Sequence, residues 1–177
     1  MYRFATQTVF GEGAARARLM FVGEQPGDEE DLTGHPFVGP SGRLLRKAMQ
    51  DAGIPPRDVY ITNAVKHFKF IERGKRRIHA KPKVTEVRAC EPWLEAEIAV
   101  VRPKLVVALG ATAAQVLLGP AFRLTKHRQE LMPSRWAPVL ATVHPSSILR
   151  APDSETRARD LAAFIEDLRF SAAKGGA

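Results

Sequence analysis

Two short segments of this sequence combine side chains that could do chemistry with residues that turn the chain sharply. Residues 23–30 read GEQPGDEE, and residues 144–150 read HPSSILR. Carboxylates and imidazoles serve as acids, bases and nucleophiles, while glycine and proline let backbone N–H groups approach a ligand closely. Residues 23–30 are not a Walker A loop, because no Gly-Lys-Ser/Thr follows. An ordinary acidic turn has a similar composition, so this segment alone does not identify a site.

Two further residues could contact a flat ligand. Phe37, in GHPFVGPSG, lies outside any helical stripe and could stack on such a ligand, or it could close the edge of the core. Asn63 offers a donor and an acceptor at fixed spacing. That pair matches the O4 and N3–H groups of uracil, whereas cytosine presents the opposite arrangement. A lone Asn at a strand end is otherwise a common turn residue.

The segment 73–83 is strongly basic, and Lys75, Arg76 and Arg77 come shortly before His79. Such a run is usually a solvated loop, but next to a ligand site it suits docking to phosphates. A neutral histidine is a nucleophile or base, and we expect the neighbouring cations to favour that neutral form of His79.

The second turn-rich segment places a histidine where a strand ends. We expect His144 to present its ring to a ligand, although a simple turn histidine fits equally well. The hydroxyls of Ser146 and Ser147 could contact a phosphate backbone. One of the residues 148–150, which end in Arg150, could wedge into a duplex and fill the gap left by an extruded base.

Hydrophobic patterning predicts the elements that position these residues. Four β-rich runs alternate with helical periodicity, which predicts a three-layer α/β/α sandwich with a central four-stranded parallel sheet. The predicted strands are 19–22, 59–65, 105–109 and 139–143. The predicted helices are 41–52 with Ser41 as its cap and Gly53 after its end, 84–101 kinked or divided at Pro92, 111–118, and 154–170 before a frayed tail at 174–177. Ligands bind at the carboxyl ends of such strands, where the turn-rich segments should converge.

Composition limits the class of protein. The 177 residues fit one domain, and the net charge of +8 favours a polyanionic partner. No apolar run approaches the roughly 20 residues that span a bilayer, and the first residues do not form a signal peptide. A single cysteine, Cys90, excludes an intrachain disulfide framework. We therefore expect a cytoplasmic monomer without membrane contact.

Taken together and in this order, the motifs resemble the uracil-DNA glycosylase superfamily. GEQPGDEE, GHPFVGPSG, TNAVKHF and HPSSILR are similar to motifs of its family 4-like, iron–sulfur members. KRRIH, at residues 75–79, resembles the signature of the UdgX branch, whose members bond covalently to uracil-containing DNA. The resemblance covers nearly the whole chain.

The resemblance implies a role for each matched position. Phe37 would stack on a flipped uracil, Asn63 would read its edge, and Gly23, Glu24 and Gln25 would supply backbone contacts. His144 would stabilise the leaving base, Glu24 and Asp28 would assist at the sugar, and His79 would capture C1′. DNA would be bound, as single strand or duplex, by Lys75, Arg76, Arg77, Ser146, Ser147 and Arg150.

The same resemblance implies a 4Fe-4S cluster. Of its ligand positions, this sequence matches His67 and Cys90, and two ligands cannot hold a cluster that needs four. Relatives carry two cysteines upstream of the segment that matches ATQTVFG. We therefore expect the natural chain to begin further upstream; the alternative is that the cluster has been lost.

Three alternatives to covalent capture stay open. The first is a turnover glycosylase in which water is the final nucleophile. The second is a non-catalytic protein that binds damaged or single-stranded DNA, which would explain the charge and Phe37 but not Glu24, Asn63 and His144 together. The third is an unrelated small-molecule enzyme that uses the same sheet edge.

Overall fold

A computed structural model describes residues 3–176. The strands of its main sheet are β1 (Glu12–Gly13), β2 (Leu19–Gly23), β3 (Val59–Asn63), β6 (Leu105–Leu109), β7 (Leu131–Met132) and β8 (Val139–Thr142), while β4 (Phe70–Arg73) and β5 (Arg76–His79) form a separate hairpin. The six strands of the main sheet lie in the order β1-β3-β2-β6-β8-β7. The helices are α1 (Asp28–Thr33), α2 (Pro40–Asp51), α3 (Val84–Val101), α4 (Ala111–Leu118), α5 (Pro145–Leu149) and α6 (Ser154–Gly175).

The predicted three-layer α/β/α sandwich is confirmed, with one correction to its sheet. The inner strands β3, β2, β6 and β8 are parallel, as predicted. Antiparallel edge strands β1 and β7 extend this sheet to six strands. Each edge strand has two residues, which is too short to show the alternation on which a sequence prediction relies.

The two faces of the sheet bury different helices. Side chains of α2, α5 and α6 pack on one face against Leu19, Phe21 and Val107. Side chains of α3 and α4 pack on the other against Met20 and Val106. The inner strands are buried on both sides, which explains why they read as continuous apolar runs.

Several predicted boundaries are wrong for identifiable reasons. Helix α2 begins at Pro40 with Gly39 as its N-cap, because proline suits the first helical turn, so Ser41 is not the cap. Helix α3 runs through Pro92 as one helix. Gly53 does follow the end of α2 with a positive φ of 76°, as predicted.

The C-terminal helix is longer than the sequence indicated. Helix α6 continues to Gly175, where a side chain would overlap Leu19, so this glycine lets the last turn pack on the sheet. The predicted frayed tail is therefore wrong at residues 174–175, Gly176 is the C-cap of the helix, and Ala177 lies outside the described residues. Within residues 3–176, no helix combines the length and apolarity needed to cross a bilayer.

The predicted basic loop is largely a β-hairpin. Phe70 pairs with His79 and Arg73 with Arg76, and Gly74 turns the chain between them with a φ of 58°. Two-residue hairpin loops need positive φ angles, which glycine adopts without strain. Alternation along β5 then sends Arg77 and His79 to one face of the hairpin and Arg76 and Ile78 to the other.

Candidate active site

The carboxyl ends of the inner strands surround a cleft of about 740 Å³. Strand β2 leads to Glu24, β3 ends at Asn63, β6 leads to Thr112 and β8 leads to His144. Nine of the predicted site residues line the cleft: Glu24, Gln25, Asp28, Phe37, Asn63, His79, His144, Ser146 and Arg150. The predicted convergence of the turn-rich segments is thus what the structure shows.

One wall of the cleft is built from Phe37 and Asn63, which pack closely against Gly23. Asn63 is 2% exposed, and its Oδ1 is a buried acceptor without a hydrogen-bond partner among the described residues. A side chain on Gly23 would overlap both Asn63 Oδ1 and the Phe37 ring. Because buried polar atoms are nearly always paired, the orphaned Oδ1 marks a position where a ligand donor would bind.

Phe37 forms part of this wall and is held in an unusual backbone conformation. Its φ is 56°, which is rare for an aromatic residue, and its ring is 4% exposed. Arg46 donates to the Phe37 carbonyl, and Gly42 makes room for that carbonyl because any side chain there would overlap it. The ring both lines the cleft and packs into the core, so the two readings of the sequence are compatible.

His144 is fixed as a neutral hydrogen-bond donor. Its Nδ1 accepts from the backbone N–H of Ser146 at 3.1 Å and lies 2.8 Å from the Ser146 hydroxyl. Burial lowers the pKa of His144 to about 4, although Glu24 acts in the opposite direction. Because Nδ1 accepts a hydrogen bond, the neutral ring carries its proton on Nε2.

Glu24 and His79 are in contact within the cleft. Glu24 Oε1 lies 3.3 Å from His79 Nε2, and the Thr112 hydroxyl donates to Oε2 of the same carboxylate. Burial raises the pKa of Glu24, but the hydrogen bonds from His79 and Thr112 outweigh burial and hold the pKa below its usual value. Glu24 is therefore ionised at neutral pH and oriented toward the imidazole.

Thr112 is a site residue that the sequence reasoning missed. It stands in the first turn of α4, immediately after β6. The rule that ligands bind at the carboxyl ends of parallel strands would have found it, since β6 was predicted correctly. Lys81, beyond the hairpin, also lines the cleft.

Gln25 fastens the base of the hairpin to the sheet. Its amide donates to the carbonyls of Lys69 at 3.1 Å and Ala80 at 3.2 Å, and its oxygen accepts from the Lys69 N–H. The Gln25 side chain thus bridges the residues on either side of the hairpin, one of which adjoins His79. Its predicted backbone contact with a ligand is compatible with this arrangement.

Arg77 requires a correction. Its guanidinium pairs with Asp28 at 2.6 Å and with the fully buried Asp31 at 2.6 Å, and it lies 5.0 Å from the centre of the Phe70 ring. The residue predicted to bind DNA therefore points inward and holds the hairpin against α1. Alternation along β5 explains this, because Arg77 shares a hairpin face with His79.

The remaining predicted DNA-binding residues divide into two groups. Lys75 and Arg76 are exposed at the tip of the hairpin, and Arg150 is exposed at the rim of the cleft. Ser146 contacts the His144 ring, and the Ser147 hydroxyl donates to the His144 carbonyl at 2.7 Å. The two serines therefore position His144.

Of the predicted wedge residues, Ile148 is unsuited to that role. Its side chain is 1% exposed and belongs to the core beneath α5. Leu149 is half-buried and Arg150 is exposed, so these two remain as candidates.

The predicted iron–sulfur ligands do not fit a cluster. His67 Nε2 lies 2.9 Å from the Thr8 hydroxyl, and Cys90 is buried on α3. Across residues 3–176, no three or more His, Cys, Asp or Glu side chains come together as a metal site. A 4Fe-4S cluster needs four ligands, so the described residues do not supply its donor set.

The family of this chain follows from comparison with known proteins. A family model described as "Uracil DNA glycosylase superfamily" matches residues 10–169. The chain belongs to this superfamily, as its motifs indicated.

Individual relatives agree with this assignment. A Type-4 uracil-DNA glycosylase of Thermotoga maritima is 41% identical over 156 residues, covering 86% of this chain and 77% of the relative. A Type-4 uracil-DNA glycosylase of Pyrobaculum aerophilum is 34% identical, covering 93% and 85%. A Type-5 uracil-DNA glycosylase of the same organism is 33% identical, covering 93% and 75%.

Proposed function

We propose that this protein removes uracil from DNA and retains the resulting sugar as a covalent adduct on His79. The observation that carries the proposal is the placement of His79 against the ionised Glu24, across a cleft from the orphaned acceptor of Asn63. The names of its relatives support uracil-DNA as the substrate.

The buried side chains of Asn63 and Phe37 recognise the base. Asn63 Oδ1 accepts the N3–H of uracil, and its amide group donates to O4. Cytosine lacks the N3–H and carries an amino group in place of O4, so it would leave Asn63 unpaired on both atoms. A site that leaves buried polar groups unpaired rejects the wrong ligand strongly. Phe37 provides the flat surface for the flipped base.

His144 stabilises the departing base. Cleavage of the bond between C1′ and N1 leaves its electron pair on uracil as negative charge. The neutral Nε2–H of His144 donates to that charge without giving up its proton. A donor that is already in place stabilises developing charge without reorganisation, and one such donor contributes about 10²–10³ in rate.

Capture of the sugar uses His79 and Glu24. As the C1′–N1 bond breaks, an imidazole nitrogen of His79 gives its electron pair to C1′ and forms the new bond. Glu24 accepts the imidazole proton, which then returns through solvent to the uracil anion. The products are free uracil and DNA bonded through C1′ to the protein. The hairpin holds the ring close enough that attack is effectively unimolecular.

The DNA backbone passes over the exposed cations. Lys75 and Arg76 are exposed at the hairpin tip, and Arg150 is exposed at the rim of the cleft. Contacts to phosphate are independent of sequence and position the strand over the site. Leu149 and Arg150 lie where a side chain could fill the gap left by the flipped nucleotide.

The test is a denaturing gel of the protein mixed with a labelled uracil-containing oligonucleotide. We expect a uracil-dependent band that survives SDS, is absent with the matching thymine oligonucleotide, and is absent for His79→Ala. Alkali-labile strand cleavage without such a band would show turnover instead of capture.

Turnover is the second candidate, and one observation favours it. The His79 side chain is 50% exposed, so water can reach the same side of Glu24. Glu24 could then activate a water molecule, and the product would be an abasic site. The two functions share the same recognition of the base by Asn63 and Phe37. They differ only in whether C1′ is attacked by a nitrogen of His79 or by the oxygen of water.

A further inference from the structure

A buried ion pair stands behind Asn63 and outside the residues that line the cleft. Lys66 follows β3, and its side chain is fully buried. Its ammonium group donates to the Thr62 hydroxyl at 2.7 Å, to the Asn63 backbone carbonyl at 2.7 Å and to Glu97 Oε2 at 2.5 Å. All three donor positions of the ammonium are therefore occupied.

Glu97 connects this ammonium to the rest of the fold. Its Oε2 also accepts from the Thr62 hydroxyl at 2.8 Å. Its other oxygen accepts from the Gly11 N–H at 2.7 Å and from the Tyr60 hydroxyl at 3.3 Å. The carboxylate thus joins the end of β3, the N-terminal segment and α3 at one point.

Such a pair is an unusual way to hold two elements together. Removing two charges from water costs about as much as their attraction returns, and apolar side chains of similar size pack as well. Fixed geometry is the benefit that a fully bonded ionic group can supply. Here the fixed atom is the main-chain carbonyl of Asn63, whose own side-chain Oδ1 has no partner among the described residues.

We propose that Lys66, held by Glu97, is a positioning residue that fixes the Asn63 main chain so that its amide points at the base. The proposal rests on the proposed function, because it assigns Asn63 the reading of uracil. An amide that meets a flat base edge through two hydrogen bonds needs its backbone held within a fraction of an ångström, and a misplacement of 1 Å costs about 10²-fold in rate.

The test replaces the pair without leaving an unpaired charge. In Lys66→Met/Glu97→Gln, the amide at 97 still accepts from the Gly11 N–H while the Asn63 carbonyl loses the ammonium. Ile98→Ala is the matched control, since it weakens the packing of α3 one residue away and removes no hydrogen bond to Asn63. Single-turnover rates on uracil-DNA are measured well below the unfolding temperature of every variant.

A mutant cycle separates positioning from general stability. We expect the double substitution to lower the rate about 100-fold in the wild-type background and to cause no further loss when Asn63→Ala is present. Ile98→Ala should change the rate little in either background. An equal loss in both backgrounds, or no loss in either, would overturn the proposal.

A second measurement does not depend on catalysis. The side-chain amide of Asn63 is the only asparagine amide in the chain, so its NMR signals are identified by comparison with Asn63→Ala. We expect one sharp pair of signals in the wild type and in Ile98→Ala, and shifted or broadened signals in Lys66→Met/Glu97→Gln. Unchanged signals would contradict the positioning role even if the protein proved inactive on uracil, so the two proposals fail separately.

Discussion

The two walls of the cleft are built in different ways. Asn63 and Phe37 are almost fully buried, and His144 is held by bonds within its own turn, so all three are fixed within the main body of the fold. His79 is 50% exposed on a hairpin outside the main sheet, and Gln25 and Arg77 fasten that hairpin.

This difference indicates a division of labour. The sheet wall, which consists of Asn63, Phe37 and His144, supplies base recognition and leaving-group stabilisation, which any glycosylase of this type requires. The hairpin wall, which consists of β4 and β5 with His79, supplies the attacking atom. If the division is correct, damage to the hairpin should spare base release, whereas damage to the sheet wall should abolish both base release and capture.

The largest expected effect is on the hairpin wall. His79→Ala should eliminate the SDS-resistant complex altogether, because the other histidine that lines the cleft, His144, has its Nδ1 bonded to the Ser146 N–H and its proton on Nε2, which leaves no nitrogen for attack. Base release should continue with water as the nucleophile, and alkali treatment of the DNA would reveal it. Loss of base release together with the complex would show that the two walls do not act separately.

On the sheet wall, Asn63→Ala should lower kcat/KM for uracil-DNA about 10²-fold, because two hydrogen bonds to the base are lost at up to about 1.5 kcal/mol each. Capture and base release should fall together. Gln115→Ala is the control. It removes a side-chain amide on α4 that does not line the cleft, and it should retain near-normal rates. A selective loss of capture would contradict the assignment of Asn63.

Gln25→Leu should loosen the hairpin without changing the base-binding wall. We expect capture to slow about tenfold, since a nucleophile loses effective concentration when it is no longer held. The Kd for uracil-containing DNA should change little, and the exposed Gln50 offers Gln50→Leu as a matched control. Equal losses in DNA affinity and in the rate of capture would contradict the separate roles of the two walls.

His144 gives the sheet wall a pH dependence. Its pKa is about 4 in the folded protein against an ordinary value of 6.5, so between these values the unfolded chain binds more protons. The free energy of unfolding should therefore rise as the pH rises from 4 to 6.5, by up to ~3 kcal/mol. Denaturant titrations that compare wild type with His144→Gln would isolate this contribution, and parallel pH curves for the two would contradict it.

The smallest effects are expected at the hairpin tip. Lys75→Ala and Arg76→Ala should each reduce the slope of log K against log salt by about 1, because each removes one phosphate contact. Affinity should fall equally for uracil and thymine DNA. Salt titrations of binding would measure both quantities, and an unchanged slope would remove these residues from the DNA path.

The sequence predicted the sheet wall better than the hairpin. Buried parallel strands leave continuous apolar runs, and the polar residues that follow them, such as Glu24, Asn63 and His144, fall at the site edge by topology alone. The hairpin carries little apolar signal, so its composition predicts a loop and suggests DNA as the partner of Arg77. Only pairing across the hairpin shows that Arg77 shares the inward face of His79.

Other features depended on contacts between distant residues. The Lys66–Glu97 pair joins a turn to a helix 31 positions away, which local patterning does not indicate. Thr112 could have been predicted, because it follows a strand whose carboxyl end lies at the site. The burial of Ile148 depends on its packing in the core beneath α5, which the sequence does not indicate.

The central claim is that His79 becomes bonded to the sugar, and peptide mass spectrometry tests it most directly. The protein is incubated with uracil-containing DNA, digested with nuclease and protease, and searched for a modified peptide that contains residue 79. We predict the mass of a deoxyribose remnant on His79 and on no other residue, with uracil released in equal amount. Released uracil with an unmodified His79 peptide would contradict the account.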